Sequence, residues 1–336
     1  MEAQDFVAGI EPASDLILTT GRDVCPSCSC GEMRSIFSGS DTLYRTSEDS
    51  FLIVQCANCG LMRLYPWPEP AKLFHYYPRD YWYVPEEDAS GRFAEIYRRF
   101  VLSDHVRFVQ RAVRESEEEG VVADVGCGGG LFLSMMARRG ARVLGIDFAL
   151  HAAHAAWKVN GVPAICGSLG HSPLAPESCA AVTMFHVLEH LYDPVAYVEE
   201  ARRMLKPNGR LIVQVPNADC WQFLLLGERW NGVDIPRHLF HFRARDLRGL
   251  LQDCGFEIVR EKHFSWRDNP AGLATSIAPW LDPMSRRVRQ VPESPNVTIL
   301  KDLTYFGLVL LSWPVTLLEA ACRRGSTIMM EARKKA

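Results

Sequence analysis

Val121-Val-Ala-Asp-Val-Gly-Cys-Gly-Gly-Gly130 reads as a short apolar strand that runs into a glycine loop. The segment Leu131-Phe-Leu-Ser-Met-Met-Ala-Arg-Arg139 that follows at once reads as a helix closed by Gly140. Glycines keep side chains out of such a loop, and the helix N-terminus behind it favours an anionic or polar ligand group. The dinucleotide fingerprint G-x-G-x-x-G would need glycine at position 131, where this chain has Leu131, so the spacing argues against NAD. The next strand, Ala141-Arg-Val-Leu-Gly-Ile-Asp147, ends in an acid 21 residues after Gly126. A carboxylate at that place can accept hydrogen bonds from both hydroxyls of a ribose. The pair of features implies a nucleoside ligand.

The same alternation extends outward. Phe148–Asn160 reads as a helix closed by Gly161, then come a short strand at PAICG, the strand AAVTMF, a helix opened by Asp193-Pro194, and the strand RLIVQVP after the turn KPNG. Strands alternating with helices of this length predict a mainly parallel sheet covered by helices on both faces, with ligands at the strand C-terminal edge. Upstream, apolar residues at helical spacing (Phe93, Ile96, Tyr97, Phe100, Val101, Phe108, Val109) predict a helix over 92–119. Residues 66–91 read as an aromatic linker and 1–20 as a mobile lead-in. With 48% hydrophobic residues, 23% charged residues and a formal charge of −3, the composition is that of an ordinary globular protein and demands no nucleic acid. The first residues show no basic stretch leading into a long apolar run, so a cytoplasmic protein is expected.

At this point the chain resembles the class I S-adenosylmethionine-dependent methyltransferase family. The resemblance rests on VADVGCGGG, VLGIDFA and VLEHLYDPVAYVEEARRMLKPNGRLIVQVPN and covers roughly residues 92–262. It implies a Rossmann-like, doubly wound seven-stranded sheet. It also implies that Asp124, Gly126, Cys127, Gly128 and Gly130 lie along the methionine part of S-adenosylmethionine, that Asp147 holds the ribose, and that Phe148 lies near the adenine. Phe185 would close the site at the end of the fourth strand. For the adenine amino group the chain offers Ser168 and Leu169, while Ala180 stands where the family usually has aspartate.

Histidines mark the acceptor side. His186-Val-Leu-Glu189-His190 matches the H-x-x-E-H pattern of some zinc peptidases, but its position at a βαβ strand end beside the cofactor cleft, where the family has L-E-H, argues against metal. His186 is placed to touch the acceptor. Pro236-Arg-His238-Leu-Phe-His241 follows the fifth strand, and His186, His238 and His241 together are the expected catalytic set, since methyl transfer to a hydroxyl or an acidic carbon requires removal of a proton. The bland alternative is that any one of them merely bonds to nearby backbone.

Cys25-Pro-Ser-Cys28 and Cys56-Ala-Asn-Cys59 are two Cys-x-x-Cys knuckles separated by 27 residues within a module over 21–65. Four thiolates suit tetrahedral Zn²⁺ in a closed, structural site. Cys30 is a competing ligand, and a disulfide or redox pair remains open. No basic stripe accompanies the module, so an RNA partner is not expected.

After FEIVREKHF the chain leaves the expected sheet for residues 265–324 before the last strand, STIMMEARK. Within this insertion residues 303–318 are apolar and interrupted by Pro314. They predict either a core helix or one lying at a membrane interface, the latter favoured by Arg286, Arg287, Arg289, Arg323 and Arg324. The expectation is therefore methyl transfer to a small-molecule, sugar or lipid-linked acceptor, with oxygen favoured over carbon. An RNA base methyltransferase and a non-catalytic zinc-ribbon binding module are the alternatives.

Overall fold

The computed structural model describes residues 17–19, 24–77, 89–171 and 173–335. Most of the lead-in, the linker stretch 78–88 and residues 21–23 of the cysteine module lie outside the described residues. The strand that opens the glycine loop, β5 (Val121–Val125), lies inside a seven-stranded sheet, with two strands on one side and four on the other. On one side it pairs in parallel with β6 (Arg142–Asp147), which pairs with β7 (Ala164–Cys166). On the other it pairs with β8 (Cys179–Phe185), followed by β9 (Leu205–Pro216), then antiparallel β12 (Thr327–Lys334) and β11 (Phe256–Lys262). Successive residues of a strand face opposite sides, and the core divides accordingly. Val122, Ala181, Ile212 and Met329 pack under α1 (Ala89–Ser116), α2 (Leu131–Ala137) and α3 (Leu150–Asn160). Ala123, Val182, Leu211 and Met330 pack under α4 (Pro194–Met204) and α6 (Ala244–Asp253). The Asp193-Pro194 signal is an N-cap: Asp193 accepts from the Ala196 amide at 3.0 Å, with proline at the first helical position.

The cysteine module is a second sheet, antiparallel, in the order β1 (Ile17–Thr19), β2 (Glu32–Gly39), β3 (Phe51–Cys56), β4 (Met62–Tyr65) and β10 (Phe240–His241). Its last strand comes from the methyltransferase-like region, so the two sheets are stitched together by the segment that carries His238 and His241. Arg237 fixes this join. Its side chain is fully buried, donates to both oxygens of Asp41 at 2.9 and 3.0 Å, to Asp234 at 2.7 and 2.9 Å and to the Tyr76 carbonyl at 3.1 Å, and lies 4.5 Å from the Tyr44 ring.

The insertion forms three helices, α7 (Asp268–Ile277), α8 (Pro283–Val288) and α9 (Pro295–Ala321). Pro314 does not interrupt α9, which runs through it. This helix is turned inside out. Ser312, Thr316 and Glu319 face the protein, with Glu319 accepting from the Gln222 amide and side chain at 3.1 and 2.8 Å. Leu300, Leu303, Leu310, Leu311 (76% exposed), Val315 and Leu318 face outward, and Leu225 of the neighbouring α5 (Trp221–Leu226) is 82% exposed. By length and composition α9 is the one helix among the described residues that could cross a membrane. Both of its ends return to the same folded body. Of the five arginines expected to flank it as free cations, Arg286 is buried against Glu293 and Asp302, and Arg324 is paired with Asp219.

Candidate active site

The C-terminal ends of β5, β8 and β9 open onto a cleft of about 520 Å³, and Asp147 at the end of β6 lies behind its glycine-loop floor. Its floor is the loop Gly126–Gly130, where Gly126, Gly128 and Gly130 all have positive φ. A side chain at Gly126 would strike Val187, and one at Gly130 would strike Ala156, whereas Gly128 faces open space. The Cys127 thiol turns down onto Gly145 and away from the loop's open face, and burial raises its pKa.

Asp147 is 2% exposed and held by two backbone donors, Gly128 N to Oδ2 and Ala149 N to Oδ1, each at 2.9 Å. Burial raises its pKa, and these two bonds oppose the rise. One donor per oxygen leaves each with acceptor capacity, an acceptor pair that the two hydroxyl donors of a vicinal diol can satisfy. Asp124 is buried beneath the loop, takes the Thr183 hydroxyl at 2.6 Å, and is pushed up to about 7 by burial. Phe148 is 61% exposed and meets Tyr77 edge-on at 6.2 Å, giving an aromatic face beside the ribose acid. Ser168 bonds to the Tyr197 hydroxyl at 2.7 Å, whereas Leu169 is entirely buried and serves the core. Phe185 lines the cleft between His105 and Phe132, edge-on to both.

The expected histidine set divides. His186 and His238 line the cleft, joined there by His190. His241 is buried behind them, with Nε2 3.1 Å from the Val233 carbonyl, and does not reach the lining. Burial lowers its pKa to about 4. The local fold explains the split, because His238 closes a turn on the Asp234 carbonyl whereas His241 lies in the short strand β10. His238 has Nδ1 2.9 Å from the Gly232 carbonyl, and burial and the neighbouring His190 ring hold its pKa well below the usual range. It is therefore uncharged at neutral pH, with its lone pair on Nε2.

His186 is the opposite case. Burial alone would lower its pKa, but Asp268 Oδ2 at 3.5 Å from Nε2 and Glu189 Oε1 at 3.2 Å from Nδ1 raise it to about 9. The Gln214 amide nitrogen, 2.7 Å from Nε2, would suit an uncharged ring. Two carboxylates in a buried site outweigh one neutral hydrogen bond, so we take the ring as a cation. Asp268 was not legible as a site residue. It enters from α7 of the insertion, as do Thr275 and, from α9, Tyr305. His105, from α1, lies 4.0 Å from Asp268, and burial lowers its pKa to about 4.

Residues 93–261, just over half of the chain, match the family model described as a methyltransferase domain. The chain belongs to this methyltransferase family. It is 33% identical over 141 residues to a "Probable S-adenosylmethionine-dependent methyltransferase" of Mycolicibacterium smegmatis, covering 41% of this chain and 52% of that protein. It is 32% identical over 156 residues to a ubiquinone biosynthesis O-methyltransferase of Pectobacterium carotovorum, covering 43% and 64%. The matches thus span between half and two thirds of these relatives' lengths. A solved S-adenosylmethionine-dependent methyltransferase from Archaeoglobus fulgidus overlays 74% of this chain and the whole of its own, with a TM-score of 0.46 and 16% identity. The glycine cradle and the half-satisfied Asp147 fit S-adenosylmethionine, the cosubstrate that the name of the Mycolicibacterium relative prints.

In the methyltransferase's cysteine module the four knuckle sulfurs lie within 4.8 Å of one another, with Cys25 to Cys59 at 3.6 Å and Cys28 to Cys56 at 3.5 Å. Zinc–sulfur bonds of about 2.3 Å in a tetrahedron place sulfurs roughly 3.8 Å apart, so the arrangement fits Zn²⁺, and the separations are far too long for disulfides. Cys30 stands outside this group. Its sulfur accepts from the Glu32 amide at 3.4 Å.

Proposed function

We propose that the methyltransferase alkylates a hydroxyl oxygen on a lipid-linked or otherwise amphipathic small molecule, and that the cysteine module holds one structural Zn²⁺ that braces the acceptor side. The observation that carries the acceptor class is α9. The same helix puts Tyr305 into the cleft wall and a continuous row of leucines on the outer surface. Each outward leucine forgoes roughly 1.5–3 kcal/mol of burial, a cost that a lipid surface would remove. Arg289, which caps α8, and Arg323, just past α9, stand at the flanks to meet anionic headgroups. The name of the Pectobacterium relative, an O-methyltransferase of ubiquinone biosynthesis, agrees with an oxygen nucleophile.

When bound, S-adenosylmethionine supplies the methyl group: its S–C bond breaks as the O–C bond forms, leaving a neutral thioether and releasing the acceptor's hydroxyl proton. The chain's own residues orient and ionise the acceptor. Asp147 and the Gly126–Gly130 loop would hold the nucleoside and methionine portions. The uncharged His238 offers a lone pair that promotes loss of the hydroxyl proton, and His186, held between Glu189 and Asp268, shapes the wall beside it. Incubation with methyl-labelled S-adenosylmethionine and separate lipid, aqueous small-molecule and RNA fractions of a cell extract tests the reading. Label should enter the lipid fraction. Label confined to RNA, or entering no fraction, overturns it.

A further inference from the structure

At the wall of the cleft, which His190 and His238 line and Glu189 backs, lies a second group of ligand atoms unrelated to the cysteines. One atom each from Glu189, His190 and His238 lies within 4.8 Å of the other two. The H-x-x-E-H stretch thus does not bring its own two histidines together on a metal. His186 turns to Asp268, and the third partner arrives from His238, 48 residues beyond His190.

Each member of the trio is already oriented through its other polar atom. His238 Nδ1 lies 2.9 Å from the Gly232 carbonyl, and His190 Nδ1 lies 3.0 Å from the Arg237 carbonyl and 2.9 Å from the Tyr77 hydroxyl. A carbonyl accepts only, so both Nδ1 atoms carry the proton and both lone pairs sit on Nε2. Glu189 spends Oε1 on His186 at 3.2 Å, while Oε2 is buried with no hydrogen-bond partner. His186 meets only one oxygen of this wholly buried carboxylate, and leaving the other without a partner is unfavourable unless a further donor or cation reaches it. Two histidines fixed through Nδ1 and one carboxylate fixed through its second oxygen form the outer-shell pattern that presents ligands to a metal. A tetrahedral sphere places such ligand atoms roughly 3.4 Å apart, within reach of modest side-chain rotation.

We propose that Glu189, His190 and His238 bind a divalent transition-metal ion, Zn²⁺ or a metal of similar preference, at the acceptor end of the cleft. Three protein ligands leave at least one coordination position open toward the cleft, which marks a working site rather than a structural one. A hydroxyl entering that position loses its proton more readily, so His238 assists transfer by lending its lone pair to the ion. This rests on the reading that the acceptor occupies the His238 end, but metal binding can be measured without any acceptor.

The test is metal stoichiometry and spectroscopy on the full-length chain. Protein stripped with a mild chelator is titrated with Co²⁺, whose visible absorption separates a nitrogen–oxygen site from a thiolate site. The parent should bind one more equivalent than Glu189→Gln or His190→Gln, and the missing equivalent should be the weakly absorbing, thiolate-free one. Both variants should keep the parent's affinity for S-adenosylhomocysteine, which reports an intact fold. Equal stoichiometry and equal spectra in parent and variants overturn the proposal. Methyl transfer failing for every acceptor fraction while the extra Co²⁺ equivalent binds would count against the acceptor reading and not against the metal site.

Discussion

Replacing Arg237 with methionine should cost about 3–5 kcal/mol of stability, the range found when one partner of a buried ion pair is removed. The magnitude follows from what is left behind. Asp41 keeps three donors, the Tyr44 amide at 3.0 Å, the Thr46 amide at 2.9 Å and the Thr46 hydroxyl at 2.5 Å, but it loses both guanidinium bonds in a site with almost no solvent access. Asp234 loses its cation as well. At about 2 °C per kcal/mol for a chain of this size, the melting temperature should fall by roughly 6–10 °C. The pH dependence has a definite sign. Burial would raise the Asp41 pKa, yet Arg237 holds it below the usual value, so in the parent its stabilisation is present above the unfolded carboxylate range and is lost only as pH falls through the depressed folded value. Without Arg237, burial raises the Asp41 pKa, and protonation relieves the variant as pH falls from 7 toward 5. The gap between parent and variant should therefore narrow over that interval. Urea unfolding at both pH values measures it, and the double variant Asp41→Asn with Arg237→Met should recover part of the loss because the more deeply buried charge is gone. A single variant within 1 kcal/mol of the parent, or a gap that widens at pH 5, refutes the role of this latch in joining the two sheets.

Asp147→Asn should weaken S-adenosylhomocysteine binding by at least tenfold in calorimetry with an unchanged melting curve, since the charged acceptor to the ribose is lost while the Gly128 and Ala149 amides keep an oxygen to bond. Metal analysis after purification under reducing conditions should find zinc in the parent that is lost in Cys56→Ser, together with a lower melting temperature. His238→Ala should lower kcat roughly 10²–10⁴-fold without altering S-adenosylhomocysteine affinity. Because burial lowers the His238 pKa and the Asp268 and Glu189 carboxylates raise that of His186 to about 9, the parent's kcat should lose its acid limb only below pH 6.5 and fall on the alkaline side near 9. Leu303→Glu with Leu311→Glu should abolish sedimentation with anionic phospholipid vesicles and leave the fold intact, because both side chains already face out of the protein.

The parts of this molecule that the sequence announces are those whose causes are local. The glycine loop, the acid at the end of β6 and the Asp193-Pro194 helix start each depend on a few neighbouring residues, and the period of the apolar pattern distinguishes strand from helix without reference to the rest of the chain. What it does not announce depends on pairing across long separations. The two-residue strand β10 carries no periodic signal, and the Arg237–Asp41 pair spans 196 residues, so nothing near either one foretells that the cysteine module and the methyltransferase sheet share an edge. The direction of α9 is hidden for a different reason. A helix with apolar residues on most of its circumference has no marked polar face, and only the contact of Glu319 with Gln222 decides which side is inward.

Both hidden features bear on the acceptor cleft. The β10 pairing brings His238 to His190, their rings 4.6 Å apart, and α7 brings Asp268 to His186. The glycine loop and Asp147 are supplied by the sheet alone and suffice for a nucleoside. The acceptor end, by contrast, has walls from the cysteine module through Leu43 and Tyr44 and from the insertion through Asp268, Thr275 and Tyr305. On the acceptor reading proposed above, changes in the two regions outside the span that matches the family should alter the acceptor while leaving cosubstrate binding untouched.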